Sequence, residues 1–408
     1  MLIPQAIHDT SLDLWDALAD MSRARPMAYR TDSRWSIQQD YEHVLIAPRP
    51  NGFRSRGEID LTVAFDQFKY ASADSPFKTV PLIAANMDGV GTFEMARAAC
   101  RAASHYSKDR PFNEAPISVA LRKHYTTEEI AEHFMTDPSR FGNAWITIGV
   151  KEHDFDRLSE LMSYMARREA DEKVGKICID TPNGYAENLL PPMVERVREA
   201  FPNMIIMAGN VVDKTAVRML DDAGADIIKV GIGPGSVCTT RKMTGVGRPQ
   251  LSSVIETSRE ARRRGVMVCA DGGCVTPGDI AKAFTAGANF VMLGGMVAGT
   301  RDGAGPDVEI ITTEDGREVI EFYGSSSTDA MKKNSGGVDP HRSSEGKKVR
   351  VPLKGTVEEL FYGNEGILGA LRSTATYIGA ANPSEFYDQG RLQLVHKQLN
   401  ESLGPAIT

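Results

Sequence analysis

Residues 266–299 read VMVCADGGCVTPGDIAKAFTAGANFVMLGGMVAG. Two short apolar runs, 266–270 and 289–293, flank a segment at 277–286 that suits a helix. Thr276 and Pro277 stand where a helix N-cap and first turn favour these residue types. Strands that are apolar on both faces and alternate with helices are typical of a parallel sheet covered by helices. The stretch therefore predicts one strand–helix–strand unit.

The same alternation recurs along the chain of 408 residues. The predicted strands are 80–85, 117–121, 144–150, 176–180, 203–208, 226–230, 266–270 and 289–293. The predicted helices are 92–103, 126–134, 155–170, 186–200, 215–222, 251–263, 277–286 and 357–371. Eight such units favour an α/β fold of the (β/α)8 TIM-barrel type over an open sheet.

Three further segments surround or interrupt this barrel, which we assign to residues 41–380. Residues 1–40 form an N-terminal extension with a short amphipathic helix predicted at 12–21, and residues 381–408 form a C-terminal tail. An insert at 298–352 follows the eighth strand. Its strand-like pieces, 307–312 and 317–323, predict a hairpin, and the Gly/Ser/Lys-rich stretch 324–348 predicts a flap. The active sites of such barrels lie at the carboxyl ends of the strands, where this insert emerges.

Composition excludes several classes of protein. The net charge is -7, from 47 basic and 54 acidic residues, without the basic stripe that nucleic-acid binding requires. The five cysteines form no C-x-x-C pair, which argues against a zinc site or disulfide framework. We find neither a signal peptide nor an apolar run long enough for a membrane span. These features predict a cytoplasmic protein with no nucleic-acid or membrane partner.

A glycine-rich loop, GIGPGSVCTTR at residues 231–241, follows the sixth predicted strand. Its spacing differs from the G-x-G-x-x-G of dinucleotide-binding folds, and it occurs late in the chain. An isolated cysteine is most often a small core residue. Because Cys238 lies on a polar loop at the catalytic face with Arg241 nearby, we interpret it as a nucleophile.

Glycine pairs follow the next two strands. Backbone N–H groups at these positions of a barrel commonly bind phosphate, which predicts an anion site at Gly272, Gly273, Gly294 and Gly295. Asp271 is either an acceptor for ribose hydroxyls or a turn residue. In the insert, Glu345 belongs either to a solvated surface loop or to a mobile lid that carries an acid/base catalyst.

These motifs, together with FYG-SS-AMKK, RSSEGK, VPLKG and LRSTATYIGA, resemble the IMP dehydrogenase/GMP reductase family over residues 40–380. The later segments are similar to its reductase branch. The resemblance implies conversion of GMP to IMP and ammonia with NADPH, through a covalent thioimidate on Cys238. It also implies that Thr240 and Glu345 act as a proton-handling pair, and that the chain forms a homotetramer.

The resemblance also assigns binding residues. Those for the nucleotide substrate are Ser236, Asp271, Gly272, Gly273, Gly294, Gly295, Tyr323, Gly324, Ser325, Ser326, Arg342, Ser343, Ser344 and Gly346. Those for NADPH are Ser55, Arg56, Lys123, Asp180, Thr181, Pro182, Ile232, Gly233, Ser325, His341, Arg342, Ser373, Thr374, Ala375 and Thr376, with Ser55 and Arg56 reaching from a neighbouring subunit. Those for a monovalent cation, K⁺, are mainly backbone carbonyls of Gly233, Gly235, Cys238 and Arg241.

Some positions depart from the family pattern. Ser325 replaces a usual Met, His341 a usual aromatic, Thr181-Pro182 a usual Val-Ala, and Arg122 a usual His. Several of these positions border the cofactor, so the choice between NADPH and NADH is left open. Two alternatives also remain: an IMP dehydrogenase without its regulatory domain, and a catalytically silent purine-nucleotide-binding protein. The insert shows no Arg-Tyr pair of the kind that activates water in the dehydrogenase.

Overall fold

The computed structural model describes residues 37–65, 67–71, 77–106, 115–136, 144–168, 174–306, 308–335 and 343–395. The helix predicted at 12–21 lies outside these residues, as do His341 and Arg342. The strands are β1 (Val44–Ile46), β2 (Val63–Phe65), β3 (Phe77–Thr79), β4 (Leu82–Ala84), β5 (Ser118–Ala120), β6 (Ala144–Ile148), β7 (Lys176–Asp180), β8 (Ile205–Val211), β9 (Ile227–Val230), β10 (Met267–Asp271), β11 (Phe290–Leu293), β12 (Ile310–Thr312), β13 (Glu318–Tyr323), β14 (Lys348–Pro352) and β15 (Leu392–Leu394).

The helices separate successive strands. They are α1 (Phe93–Tyr106), α2 (Thr127–Thr136), α3 (Glu152–Ala166), α4 (Leu190–Ala200), α5 (Lys214–Asp222), α6 (Thr240–Thr244), α7 (Gln250–Arg264), α8 (Pro277–Thr285), α9 (Thr328–Ser335), α10 (Val357–Tyr362), α11 (Ile367–Ile378) and α12 (Phe386–Gln389). In the described residues, no helix is both long and apolar enough to cross a membrane.

Strands β4 to β11 form a closed parallel barrel in chain order. Strand β11 pairs with β10 on one side and with β4 on the other, so that Leu293 lies opposite Ala84 and the sheet has no edge. The predicted (β/α)8 barrel is confirmed. One predicted helix, 357–371, is two helices in the structure, α10 and α11, separated at Gly363 and Gly366.

The barrel strands are apolar on both faces because one face fills the barrel and the other meets the helices. Trp145 in β6 is fully buried, and its ring meets that of Phe290 edge-on, with centroids 6.3 Å apart. Its indole Nε1 donates to Ser118 Oγ over 3.3 Å, which satisfies the one polar atom of the side chain. Burial of each large side chain of this kind contributes about 1.5–3 kcal/mol.

A buried carboxylate lies at the amino end of the barrel. Asp226, just before β9, accepts hydrogen bonds from the backbone nitrogens of Tyr70, Ala71 and Ile206. It also pairs with Arg198 over 2.6 Å. These partners compensate the cost of burying the charge and fix residues 69–71 against the barrel, so the cluster is structural.

The insert contains the predicted hairpin and one further strand. Strands β12 and β13 pair antiparallel, and β14 pairs with β13, with Glu321 opposite Arg350. The sequence pattern predicts a flap up to residue 348 and no strand after it, so β14 is an addition to the prediction. Near the C-terminus, β15 pairs antiparallel with β1, so that Val44 lies opposite Leu394. Residues 392–394 are therefore attached to the segment that precedes the barrel.

Candidate active site

Two glycines shape the loop that follows β9. Gly231 has φ +152°, and a Cβ there would lie 2.2 Å from the carbonyl oxygen of Asp271 at the end of β10. Gly233 has φ +83°, and a Cβ there would lie 2.6 Å from Arg241 Cγ. Both positions combine a backbone that favours glycine with the close approach of a neighbour. The loop is thereby pressed against the mouth of the barrel.

The loop presents Cys238 to two residues predicted to act with it. The Cys238 Sγ atom donates to Thr240 Oγ1 over 3.2 Å. The Thr240 hydroxyl in turn donates to Glu345 Oε2 over 2.7 Å. The Cys238 side chain is half-buried. The three predicted catalytic residues thus form one continuous chain of hydrogen bonds open to a ligand.

Backbone contacts hold Glu345 in place from two sides. Its carbonyl oxygen accepts from Thr239 N over 2.8 Å, and its own N donates to Ser326 O over 3.0 Å. Next to it, Gly346 forms bridges with both Cys238 and Ser327. A Cβ on Gly346 would lie 2.8 Å from Ser327 N, so only glycine fits there. The described end of the flap is therefore docked between the cysteine loop and residues 324–327.

The predicted phosphate residues come together from three loops. A Cβ on Gly295 would lie 2.7 Å from Ser236 Oγ, so the turn after β11 touches the cysteine loop. Gly272 and Gly273 have φ +85° and +86°, and a Cβ on Gly272 would lie 3.4 Å from Gly235 N. The three loops therefore approach one another closely, with glycine backbone in place of side chains, as in sites where backbone N–H groups meet an anion. The arrangement fits a phosphate.

A lysine outside the sequence motifs adjoins the phosphate residues. Lys354 Nζ donates to the carbonyl oxygens of Gly295 and Met296, each over 2.8 Å. Burial lowers the pKa of Lys354 to about 8. A positive charge close behind the glycine turn favours an anion in front of it.

Asp271 ends β10 beside a buried lysine. Its Oδ2 atom accepts from Lys229 Nζ over 2.6 Å and from Asn210 Nδ2 over 2.8 Å. Lys229 also pairs with Asp180 Oδ1 over 2.7 Å, and Lys123 pairs with Asp180 Oδ2 over 2.7 Å. A row of alternating charges therefore runs across the mouth of the barrel.

The neighbouring charges shift the pKa values of Asp180 and Lys229. Burial would raise the pKa of Asp180, but Lys123 and Lys229 outweigh it and hold that pKa far below its usual value. Burial would lower the pKa of Lys229, but Asp180 and Asp271 raise it well above its usual value. Both groups are thus charged throughout the physiological range.

Most of the predicted cofactor residues that the structure describes fall into two groups. Lys123, Asp180, Thr181 and Pro182 lie at or just after the ends of β5 and β7, at the mouth of the barrel. The second group lies on or beside the outer helix α11: Ser55, Arg56, Ser373, Thr374, Ala375 and Thr376. Asn51, near Ser55, donates to Thr376 O over 2.7 Å in the same chain. Ala375 is fully buried.

The remaining predicted residues are placed as follows. Tyr323 donates to Asp88 Oδ2 over 3.0 Å, and burial, followed by Asp88, raises the pKa of the phenol. Ile232 is nearly buried. Ser344 Oγ donates to Gly346 O over 3.1 Å. The neighbouring positions Gly324, Ser325, Ser326 and Ser343 lie around the docked end of the flap.

The residues predicted to bind a cation would contribute backbone oxygens from a tight loop. Gly235 O accepts from Cys238 N over 3.0 Å, and Arg241 O accepts from Gly245 N over 3.2 Å. The Arg241 guanidinium is engaged elsewhere, with Asp40 at 3.2 Å and Arg248 O at 2.6 Å. Across the described ranges, no cluster of three or more His, Cys, Asp or Glu side chains could hold a metal. Carbonyl oxygens are ligands suited to a hard monovalent cation.

Four residues that line this site were not predicted: Asp40, Asn210, Lys229 and Lys354. The sequence does carry a signal for Lys229. Residues 226–230 read DIIKV, so that a lysine stands inside an otherwise apolar strand that begins after Asp226. A charge in a buried strand is expected only where a partner exists. Asp40, 201 positions before Arg241, had no such signal in the sequence.

Comparison with known proteins agrees with the fold and these motifs. A family model described as IMP dehydrogenase / GMP reductase domain matches residues 39–402. GMP reductase 2 from Homo sapiens is 43% identical over 364 residues, which cover 89% of this chain and 96% of that protein. GMP reductase from Vibrio campbellii is 43% identical over 369 residues, which cover 90% of this chain and 98% of that protein.

A TIM barrel with a thiol, a hydroxyl and a carboxylate hydrogen-bonded at its mouth defines an enzyme that uses covalent or acid/base chemistry. The matches are far more specific than this class. The chain belongs to the IMP dehydrogenase/GMP reductase family and is an oxidoreductase.

Proposed function

We propose that this enzyme catalyses the reductive deamination of GMP to IMP and ammonia with NADPH. The observation that carries the proposal is the chain from Cys238 through Thr240 to Glu345, with bonds of 3.2 and 2.7 Å. The extent of similarity to proteins named GMP reductase supports the choice of reaction.

The first step is addition of Cys238 sulfur to C2 of the guanine ring. The thiol loses its proton to the Thr240 hydroxyl as the Thr240 proton passes to Glu345, which follows the donor directions of both hydrogen bonds. A carbon–sulfur bond forms and the C2=N double bond opens. The thiolate is the nucleophile, and the carboxylate is the final proton acceptor.

The second step expels the 2-amino group. Glu345, now protonated, returns its proton through Thr240 to the departing nitrogen, so that ammonia leaves and a thioimidate remains on Cys238. One carboxyl group thus acts as base and then as acid, as is usual for a general catalyst in a two-stage displacement.

NADPH, when bound, supplies the hydride that reduces C2. The chain's own residues bind and orient: Lys123 and Asp180 at the barrel mouth on the cofactor side, Asp271 at the ribose, and the glycine turns with Ser236 at the phosphate. After reduction, the carbon–sulfur bond breaks, the thiolate is released, and IMP departs. The thiolate then takes up one proton from solvent water, relayed through Glu345 and Thr240, which restores the Cys238 thiol.

Three further properties belong to the same proposal. The carbonyls of Gly233, Gly235 and Cys238 bind K⁺ and hold the cysteine loop in its reactive shape. The enzyme assembles as a homotetramer, with Ser55, Arg56 and residues 373–376 directed to a cofactor shared between subunits. It acts in the cytoplasm.

The test is an assay with purified protein, GMP and either NADPH or NADH, in which cofactor absorbance and IMP are followed together. We expect oxidation of NADPH matched one to one by IMP. Reduction of NAD⁺ with IMP as substrate would instead identify a dehydrogenase. Binding of GMP with no turnover in either direction would identify a silent binder.

A further inference from the structure

A lysine inside the barrel joins the two halves of the candidate active site. Lys229 is 1% exposed, and its Nζ lies 2.7 Å from Asp180 Oδ1 and 2.6 Å from Asp271 Oδ2. Asp180 ends β7 on the proposed cofactor side, and Asp271 ends β10 on the proposed ribose side. One buried cation thus contacts a carboxylate from each side.

The glycine at position 209 allows the strand that carries Lys229 to approach its neighbour closely. Gly209 lies opposite Lys229 in the pairing of β8 with β9. A Cβ at Gly209 would lie 2.3 Å from Lys229 O and 2.7 Å from Lys229 Cβ. The strand that carries the lysine therefore approaches its neighbour closely, which fixes where the side chain begins.

The contacts leave one oxygen of Asp271 for a ligand. Lys229 and Asn210 both donate to Oδ2, over 2.6 and 2.8 Å. Asn210 Nδ2 also donates to Gly231 O over 2.7 Å, so its amide is oriented. Among the hydrogen bonds of the described residues, none reaches Asp271 Oδ1, and this side chain is 20% exposed. Oδ2 is therefore held by two donors, and Oδ1 remains available to a ligand.

We propose that Lys229 is a positioning residue that holds the Asp271 carboxylate in one orientation, so that Oδ1 accepts hydrogen bonds from the ribose hydroxyls of the nucleotide. The inference rests on the proposed function. Lys229 acts through Asp271 and contacts no reacting atom. A neutral residue there leaves Asp180 and Asp271 without the cation between them, and Asp271 Oδ2 loses one of its two donors.

The titratable groups that face Lys229 come from three elements. Strand β7 contributes Asp180 and Cys178, and β10 contributes Asp271 and Cys269. Lys123, after β5, reaches the row through Asp180. Both thiols are protonated at neutral pH because burial raises the pKa of Cys178 to about 12 and that of Cys269 well above its usual value. Asp180 and Asp271 are therefore the charged partners that lose a contact when Lys229 is replaced.

The experiment compares equilibrium binding of GMP with that of 2′,3′-dideoxyguanosine 5′-monophosphate, by calorimetry without NADPH. The two ligands differ only in the hydroxyls that Asp271 is proposed to bind. We expect the wild-type enzyme to prefer GMP by roughly tenfold to a hundredfold, as for hydrogen bonds to a charged group. In Lys229→Met this ratio is expected to fall toward one, and in Lys229→Arg to be partly restored.

A double variant separates positioning from folding. Lys229→Met/Asp180→Asn removes one positive and one negative charge together, so it keeps the charge balance of the barrel and is expected to fold. Its ratio is also expected to fall, because Asp271 still lacks its partner. A purely structural lysine would lower the stability of Lys229→Met without changing the ratio measured for the protein that remains folded.

The outcomes are distinct from those for the proposed function. An enzyme that converts GMP but keeps its wild-type ratio in a folded Lys229→Met or double variant overturns the inference alone. The same holds if both neutral variants fail to fold while Lys229→Arg keeps the full ratio. A wild-type enzyme that neither binds nor converts GMP overturns the proposed function instead.

Discussion

Thr240 Oγ1 lies 2.7 Å from Glu345 Oε2, although 105 positions separate the two residues in the sequence. The contact joins α6, which begins at Thr240, to the docked end of the flap. The hydroxyl both accepts from the Cys238 thiol and donates to the carboxylate. Docking of the flap end and the proposed proton transfer therefore depend on the same contact.

Glu345→Gln is expected to lower kcat by about 10²–10⁴-fold, the usual contribution of a general acid/base catalyst. The amide keeps the hydrogen bond to Thr240 but cannot store the proton. GMP affinity is expected to change little, because the phosphate and ribose contacts lie elsewhere. The measurements are steady-state kcat and the dissociation constant for GMP.

Glu314→Gln, an exposed position in the turn of the same insert, is the matched control and is expected to retain wild-type kcat. A Glu345→Gln enzyme within threefold of wild type would remove Glu345 from the acid/base role.

The five cysteines are expected to differ sharply in reactivity. Burial raises the pKa of Cys178 to about 12 and that of Cys269 well above its usual value, and both side chains are inaccessible. Cys238 is half-buried on its loop. With iodoacetamide at pH 8, we expect Cys238 to be alkylated before Cys178 and Cys269, whose side chains are buried, and GMP to slow the reaction, because the nucleotide is proposed to cover Cys238.

Peptide mass spectrometry over a time course measures the order of labelling, and unfolded protein, in which all five cysteines react, serves as the control. Labelling of Cys178 as fast as Cys238 in the folded enzyme would contradict the assignment of the thiols.

The sequence was sufficient for the barrel because its signal is local. Each strand and helix carries its own apolar pattern, and eight repetitions define the closed sheet. The strand predicted at 176–180 matches β7 residue for residue, and the shift of the 203–208 prediction to Ile205–Val211 is of the usual size. Strand β14 was missed because it lies in a polar stretch, with KVRVP half-exposed along its length.

Site residues could be predicted from the sequence where a local motif surrounds them. Those whose partners are brought together only by the fold could not. Cys238 and Asp271 stand next to glycine turns that identify them. Lys229 and Lys354 act through contacts with residues 42 and 59 positions away, which no local pattern reports. Asp40 likewise reaches Arg241 from a distant part of the chain.

Gly233→Ala is expected to reduce kcat/KM at least tenfold and to weaken activation by K⁺. The residue has φ +83°, and the new Cβ would lie 2.6 Å from Arg241 Cγ. Arg241 cannot move aside cheaply, because its guanidinium pairs with Asp40 and donates to Arg248 O. The loop must therefore shift, together with the carbonyls proposed to bind the cation.

Gly245→Ala provides the comparison, since Gly245 has φ +72° but a Cβ there would have no neighbouring atom within 4 Å. Both variants incur the same kind of backbone strain, of about 1 kcal/mol or more, and only one has the clash. Thermal unfolding and a K⁺ titration of activity measure the two effects. Equal losses in both variants would show that the clash with Arg241 has no role.

Lys354→Met is expected to weaken GMP binding and to remove part of its pH dependence. The folded-state pKa of Lys354 is lowered to about 8 by burial, so the free enzyme carries this charge below pH 8 and loses it above. The contribution to binding an anionic phosphate is therefore almost fully present at pH 7 and declines toward pH 9. We expect the dissociation constant for GMP to rise across this interval more steeply in the wild type than in Lys354→Met.

Ionisation of the nucleotide itself is the same for both enzymes, so the difference between the two curves isolates the lysine. Lys348→Met, at a more exposed lysine of the insert that pairs with Glu321 over 3.0 Å, is expected to follow the wild-type curve. Guanosine, which lacks the phosphate, is expected to bind wild type and Lys354→Met alike. If the wild-type and Lys354→Met curves for GMP run parallel from pH 7 to 9, the charge behind the glycine turn does not act on the phosphate.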